Sequence, residues 1–462
     1  MKVMIGSEIR ILGARKELYD WCGENLILPN PEYADRKRRG MWTGKTPQYL
    51  YLYRLDGDEL VVPVGVGKEI RGFLKKGDAV DARLADNGVL EYKGSIPLYD
   101  YQKAAVKAMR KKSCGILQSP CGSGKTQMGI ALAAAISRKT LWITHTQDLL
   151  TQSFDRAAMY FPRETLGKIT AGKVRIGSHM TFATVQTLCK LDLSKYWNTW
   201  DVVIVDECHR LAGTPTKVTM FYKVMNNLAA RHKYGLSATV HRSDGLIRST
   251  FAVVGPVEYQ VPEEAVADKT IKVRVVRRET GVETNRVCLD TDGTLDYGKL
   301  IPYLTESEER NRRIVQDLKQ NATHYNLILS DRLDHLRTLM ENLPEECRES
   351  AVMIDGSMTS KSARVAREHA IEDMREGRKH FLFASFTLAK EGLDIPRLDR
   401  LYMTTPKKDY AVVTQSVGRI ARTFPTKEDA ICYDYVDRIQ FCENQWKRRR
   451  AHYRKAGCEF AG

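Results

Sequence analysis

The stretch Ser119-Pro-Cys-Gly-Ser-Gly-Lys-Thr126 decides how the rest of the chain is read. A short apolar run, Gly115-Ile-Leu-Gln118, precedes it, and a segment of good helix formers, Gln127-Met-Gly-Ile-Ala-Leu-Ala-Ala-Ala135, follows. Strand, glycine loop and helix in that order make a cradle for phosphate. Gly122 and Gly124, with Ser123 between them, let the backbone wrap an anion with its N–H groups, and the helix start adds the positive end of a dipole. Lys125 would reach the β- and γ-phosphates, and the Thr126 hydroxyl would hold Mg2+. The general phosphate-loop pattern has a glycine where Ser119 stands, so the rest of the chain must decide between a nucleotide loop and a glycine turn joining a core strand to a core helix.

Size and composition narrow the class. A chain of 462 residues has room for about three domains of about 150 residues. Hydrophobic residues at 43% and charged residues at 28% exclude a mostly disordered or fibrous protein. The 73 Lys and Arg against 57 Asp and Glu leave a formal charge of +16, which favours a polyanionic partner such as nucleic acid. The first ten residues lack an apolar core of signal-peptide length and no later stretch approaches a membrane span, so a soluble, intracellular protein is expected. Ten cysteines occur without a C-x-x-C pair or zinc-site spacing, which predicts reduced, mostly buried thiols.

Residues 1–95 read as a small β-rich accessory domain. In Tyr49-Leu-Tyr-Leu-Tyr53 the tyrosines share one strand face and the leucines the other, and Leu55-Asp-Gly-Asp58 turns into Glu59-Leu-Val-Val62. Arg36-Lys-Arg-Arg39 and Trp42 are either a grip on DNA, basic groups on phosphate and a ring on bases, or a solvated loop beside a packed sheet. From residue 96 to 260, apolar runs at 115–117, 140–144, 181–184, 201–206 and 233–237 alternate with helical spacers, which predicts a parallel sheet covered on both faces. Ligands of such sheets bind at the carboxyl ends of the strands, where both the phosphate loop and Asp206-Glu-Cys-His209 fall. Residues 261–305 read as a connector, with a strand period at 271–275 and a capping box, Thr305-x-x-Glu308, opening the next helix. A second α/β block spans 306–445, with candidate strands at 326–330, 351–355, 380–384, 400–404 and 430–433 and no phosphate loop. The tail, 446–462, is basic and helical, either a solvated face or a second DNA contact.

Phosphoryl transfer needs a carboxylate to hold a metal and a group to orient water. Asp206, at the end of the apolar strand, suits Mg2+, and Glu207 suits the general base. At this point residues 98–422 resemble the superfamily 2 helicases and translocases. The 119–126 loop is similar to motif I of that family, Asp206–His209 to its DExH motif II, and Ser237-Ala-Thr239 to motif III. Tyr101-Gln102 resembles the adenine-reading glutamine motif. Thr144-His-Thr-Gln147 and Thr184-Val-Gln-Thr187 resemble the motifs that touch nucleic acid. Leu329-Ser-Asp331, Glu391-Gly-Leu-Asp-Ile-Pro396 and Gln415-Ser-Val-Gly-Arg-Ile-Ala-Arg422 resemble motifs IV, V and VI.

The resemblance implies two tandem RecA-like domains, the first holding ATP and Mg2+. By that resemblance Gln102, Asp394 and Gln415 would also bind the nucleotide, and Arg419 and Arg422, one helical turn apart, would act as arginine fingers. His209 would couple hydrolysis to movement, and Thr144, His145, Gln186, Thr187 and Arg242 would meet nucleic acid. The Gly235–Gly245 run and the DExH form resemble the UvsW and XPB branch found in phages and prophages, although Tyr99 and Val240 depart from its usual arginine and proline. The implied activity is an ATP-driven DNA helicase or translocase on duplex, forked or branched DNA, alongside replication or recombination proteins, in the cytoplasm of a bacterium or a phage-infected cell. The motor subunit of a restriction complex and an ATP-gated DNA switch stay open as alternatives. DEAD-box RNA helicases, with Asp in place of His209, fit less well.

Overall fold

A computed structural model describes residues 1–461 apart from 76, 84–86, 121, 212–218, 241–244, 268–269, 285, 290–294, 357, 359–360 and 391–392. The chain is α/β and forms two compact units, Met1–Pro120 with Gly124–Pro262, and Glu263–Gly462 with Cys121–Ser123.

The first unit is built on an eight-stranded sheet. In spatial order its strands are Lys173–Arg175, Leu166–Thr170, Met180–Thr184, Thr140–Thr144, Val202–Asp206, His232–Ser237, Cys114–Gln118 and Val257–Gln260. All neighbours pair in parallel except the first two. Every residue of 140–144, 180–184 and 202–206 is buried, as expected of parallel strands covered on both faces. The helix Lys125–Ile136 contains Gly129, although glycine in a helix interior costs about 1 kcal/mol against alanine. Packing explains it, since a Cβ on Gly129 would stand 2.6 Å from both the Trp142 ring and Leu236. A large aromatic on the central strand is thereby brought hard against the helix that follows the phosphate loop.

Residues 1–81 add a five-stranded sheet, ordered Arg54–Asp56, Glu59–Pro63, Glu8–Leu12, Lys2–Ile5, Ala79–Asp81, and a two-stranded ribbon of Ile27–Pro29 with Tyr49–Tyr51. Leu50 and Leu52 point inward while Tyr49 and Tyr51 are exposed, the alternation the sequence predicts. Asp56 pairs with Glu59 across the expected two-residue turn. This β-rich part packs as one body with the larger sheet. Arg248 grips Glu69 with two hydrogen bonds of 2.9 and 2.6 Å, and a Cβ on Gly65 would lie 2.3 Å from the Phe251 carbonyl.

The second unit has seven parallel strands in the order Ala351–Ile354, Phe381–Ser385, Asn326–Ser330, Arg400–Met403, Ala430–Arg438, Val273–Glu283 and Glu459–Phe460. Part of the stretch read as a connector is thus a long strand of this sheet, paired in parallel with 430–438 and with a register shift between Glu279 and Glu283. The expected capping box does not form. Thr305 lies inside the helix Tyr297–Glu306 with its hydroxyl on the Ile301 carbonyl, and Ser307 caps the helix Glu308–Gln320 by accepting from Arg310 N–H. In the basic tail, Arg449 turns inward from the helix Gln440–Lys455. It donates two 2.7 Å bonds to the buried carboxylate of Asp434, which also accepts from the Tyr453 hydroxyl.

Candidate active site

In the first unit the candidate residues gather at the carboxyl ends of adjacent strands. The loop after Gln118 turns through Gly122 and Gly124 at φ +81° and +78°, the left-handed region that favours glycine, and Gly124 caps the helix that opens with Lys125 and Thr126. A Cβ at Gly124 would stand 2.5 Å from Gln102 Nε2. The carboxamide of Gln102 is thus laid against the loop, while its oxygen accepts from Tyr99 N–H at 3.0 Å and closes a capping box on the helix Asp100–Arg110. Ser119, buried, takes the place of the missing glycine. Its N–H donates to the Ser237 carbonyl at 3.0 Å and ties the phosphate loop to the next strand end.

Asp206 ends its strand in a buried position, and its carboxylate accepts from Glu207 N–H at 3.0 Å. Burial pushes the Asp206 carboxyl up to about 7; the Glu207 charge adds to the rise, and the Lys125 ammonium and the Glu207 N–H oppose it. Glu207 itself sits at φ +52°, a costly conformation for a non-glycine residue of the kind that clusters at functional sites. Its carboxylate lies 3.3 Å from His209 Nδ1, which is 3.0 Å from the Ser237 hydroxyl. Ser237 has one hydroxyl proton, donated to the Thr239 carbonyl at 2.6 Å, so its oxygen accepts from His209 and from Thr239 N–H. That fixes the proton on His209 Nδ1. Cys208 is buried against the neighbouring strand, where a Cβ on Gly235 would lie 2.5 Å from its sulfur.

Further along the same edge, Thr144 and Thr184 end paired strands. Thr144 is buried with its hydroxyl on the Thr146 carbonyl, and His145 is also buried. Gln186 is exposed and donates to the His145 carbonyl at 2.6 Å, joining the two motifs, while the half-buried Thr187 shares a 2.9 Å hydrogen bond with Thr184. Arg242 lies outside the described residues.

In the second unit, Arg419 and Arg422 do not share a helix face. The helix Tyr410–Ile420 stops before Arg422, which instead bridges to Thr270. Both arginines nonetheless converge on one loop, Arg419 on the Leu393 carbonyl at 2.9 Å and Arg422 on the Asp394 carboxylate. Arg375, which the sequence reading missed, holds that loop through the Asp394 carbonyl at 2.7 Å. Gln415 is buried, and its side-chain oxygen has no partner among the described residues.

These features fit a magnesium nucleotide. The loop has the backbone a phosphate cradle needs. Two adjacent acids stand at the strand end, and at the buried Asp206, whose carboxyl is pushed up to about 7, a divalent cation would offset the cost of a buried charge.

The family described as type III restriction enzyme, res subunit, matches residues 95–242, and the helicase conserved C-terminal domain matches 309–424. A protein of Acanthamoeba polyphaga mimivirus named as a putative ATP-dependent RNA helicase is 28% identical over 72% of this chain and 62% of its own length, so the chain spans less than two thirds of that relative. The DNA 3'-5' translocase XPB2 of Sulfurisphaera tokodaii is 25% identical over 76% of this chain and 84% of its own. Among solved structures, S. cerevisiae Dbp5 bound to RNA and ADP BeF3 superposes with a TM-score of 0.56 at 15% identity, covering 87% of this chain and 93% of that one, which supports the tandem RecA-like fold. With a matched restriction-enzyme res-subunit domain on the first sheet and a matched helicase C-terminal domain on the second, and the phosphate loop, the DECH box and motif VI in their expected order, the chain is similar to the superfamily 2 helicases, among them those of the XPB kind.

Proposed function

We propose that the protein is an ATP-driven DNA helicase or translocase acting on duplex, forked or branched DNA in replication, recombination or repair. The observation that carries the reading is the chain of contacts from Glu207 through His209 to Ser237, which joins the proposed base to the strand that also anchors Ser119. In this reading Lys125 and Thr126 hold the phosphates, with Gly122, Ser123 and Gly124 wrapping them. Thr126 and Asp206 hold Mg2+, which supplies charge neutralisation on the phosphates. Glu207 takes the proton of the attacking water. Gln102, Asp394 and Gln415 contact the nucleotide, and Arg419 and Arg422 neutralise charge on the γ-phosphate once they leave the 393–394 loop. On the nucleic-acid side the exposed Gln186 and Thr187 make the contact, while the buried Thr144 and His145 set their position. Arg242, outside the described residues, is assigned a nucleic-acid contact on its motif alone. Residues 1–95 serve as a DNA-binding accessory to the motor of 96–260 and 306–445.

DNA is favoured over RNA by the DECH box and by the relative named as a DNA translocase; the relative named as an RNA helicase makes RNA the necessary control. The family name carried by residues 95–242 also supports a second reading, the motor of a restriction complex. ATP hydrolysis measured with single-stranded, duplex, forked and four-way DNA, and with RNA, beside a strand-displacement assay, tests both. Stimulation by RNA alone would overturn the DNA reading. Stimulation by DNA with neither displacement nor movement would favour an ATP-gated switch.

A further inference from the structure

We infer that Trp42 is a stacking platform for an unpaired base, so that the N-terminal part reads the junction between duplex and single strand; this deepens the proposed function and rests on its DNA substrate. Trp42 is 83% exposed, far beyond what packing requires of the largest apolar side chain. It is not loosely hung. Its ring lies over Gly44, where a Cβ would come within 2.6 Å of it, so the glycine at φ +48° is what admits the indole. The loop that carries it is braced at both ends. Asn30, buried, donates its side-chain amide to the Pro47 carbonyl at 2.7 Å and its N–H to the Gln48 carbonyl at 3.0 Å. Met41 N–H reaches the Arg36 carbonyl at 2.9 Å, Arg36 reaches the Trp42 carbonyl at 3.4 Å, and Thr46 closes a turn on Thr43 at 2.8 Å.

Charge names the occupant. Over residues 31–45 five cations, Arg36, Lys37, Arg38, Arg39 and Lys45, face only two carboxylates, Glu32 and Asp35, both engaged by arginines of the same helix. A fixed indole beside surplus cations matches a base attached to phosphate. It does not match an apolar protein partner, for which the cations would be a desolvation penalty. A closed duplex offers base edges and hides its faces, whereas an unpaired base offers the whole π-face that an exposed indole can cover.

The test uses the full-length protein, with forked DNA carrying 2-aminopurine at the junction and blunt duplex of the same length. Wild type is expected to quench or shift the probe and to prefer the fork. Trp42→Ala should lower fork affinity relative to duplex affinity by about tenfold to a hundredfold, Trp42→Phe should restore part of it, and Arg38→Gln with Arg39→Gln should weaken both substrates alike. An unchanged fork-to-duplex ratio in Trp42→Ala, or equal loss on both substrates, overturns the platform and leaves the motor standing. Absence of DNA binding by wild type overturns motor and platform together, and recovery of Trp42-dependent binding to a protein in its place would assign the ring to a protein partner.

Discussion

His209 Nδ1 and the Ser237 hydroxyl lie 3.0 Å apart, across the carboxyl ends of two paired strands. The serine proton is committed to the Thr239 carbonyl, so the histidine is the donor, and any change at the Asp206–His209 turn is felt directly by the Ser237–Thr239 turn. Ser237→Ala should therefore keep ATP binding and much of the hydrolysis, and reduce the strand displaced per ATP consumed by about tenfold, the loss of one buried hydrogen-bond network of about 1–3 kcal/mol. Parallel assays of hydrolysis and displacement give the ratio. A fall in both rates by the same factor would mean that the contact only supports the fold.

Glu207 is held in left-handed backbone next to Asp206, which ties its position to the strand end. Glu207→Gln keeps the shape and removes the basic oxygen. Hydrolysis should fall by about 10²–10⁴, the range for loss of a general base, while a fluorescent ATP analogue still binds. Lys125→Ala should abolish turnover. Equal turnover of Glu207→Gln and wild type would take the base role from this residue.

Much of this was legible from the residues, and the limits are physical. The short buried strands of both sheets stand where their apolar runs predict, because a parallel strand covered on both faces is apolar along most of its length, with polar residues such as Thr144, Asp206 and Ser330 at the strand ends. Glycines at +81° and +78° follow from the phosphate-loop spacing. The strand Val273–Glu283 was read only at its start and as part of a connector, since its neighbour is a strand around residue 430, and such pairing leaves no local mark. Arg449 reads as one more surface cation in Lys447–Arg450, and only tertiary placement opposite Asp434 buries it. Spacing put Arg419 and Arg422 on one helix face, but the helix ends between them, at Ile420.

Arg422 is paired with Asp394, and Arg419 with the carbonyl just before it. If the two arginines act on the γ-phosphate, Arg422→Ala and Arg419→Ala should each lower kcat by about 10³ or more, with much smaller changes in ATP affinity. Asp394→Asn, which keeps a polar group for the nucleotide contact assigned to Asp394, separates the roles. It weakens the hold on Arg422 without removing the guanidinium, so it should cost far less than Arg422→Ala. Single-turnover hydrolysis beside ATP titration decides the matter; a loss in Asp394→Asn as large as in Arg422→Ala would show that the ion pair, and not the free arginine, is what hydrolysis requires.

Lys233 is a buried lysine on the strand that ends in Ser237, with its ammonium donating to the Met225 carbonyl at 2.7 Å and the Ser7 carbonyl at 3.2 Å. Burial pulls its pKa down from the ordinary 10.5 to about 7; Arg83 pushes the same way and Glu8 opposes. Between about 7 and 10.5 the unfolded chain keeps a proton on this amine that the folded chain has lost, so stability contributed here rises with pH, by up to about 1.4 kcal/mol per unit. Below about 7 both states are protonated and the contribution stays flat at its least favourable value. Lys233→Met fills similar space without a charge and should lack this slope. Its advantage over wild type in urea unfolding should therefore be largest at pH 7 and shrink towards pH 10. An advantage of constant size across that range would mean that the two carbonyls keep the lysine charged in the folded protein.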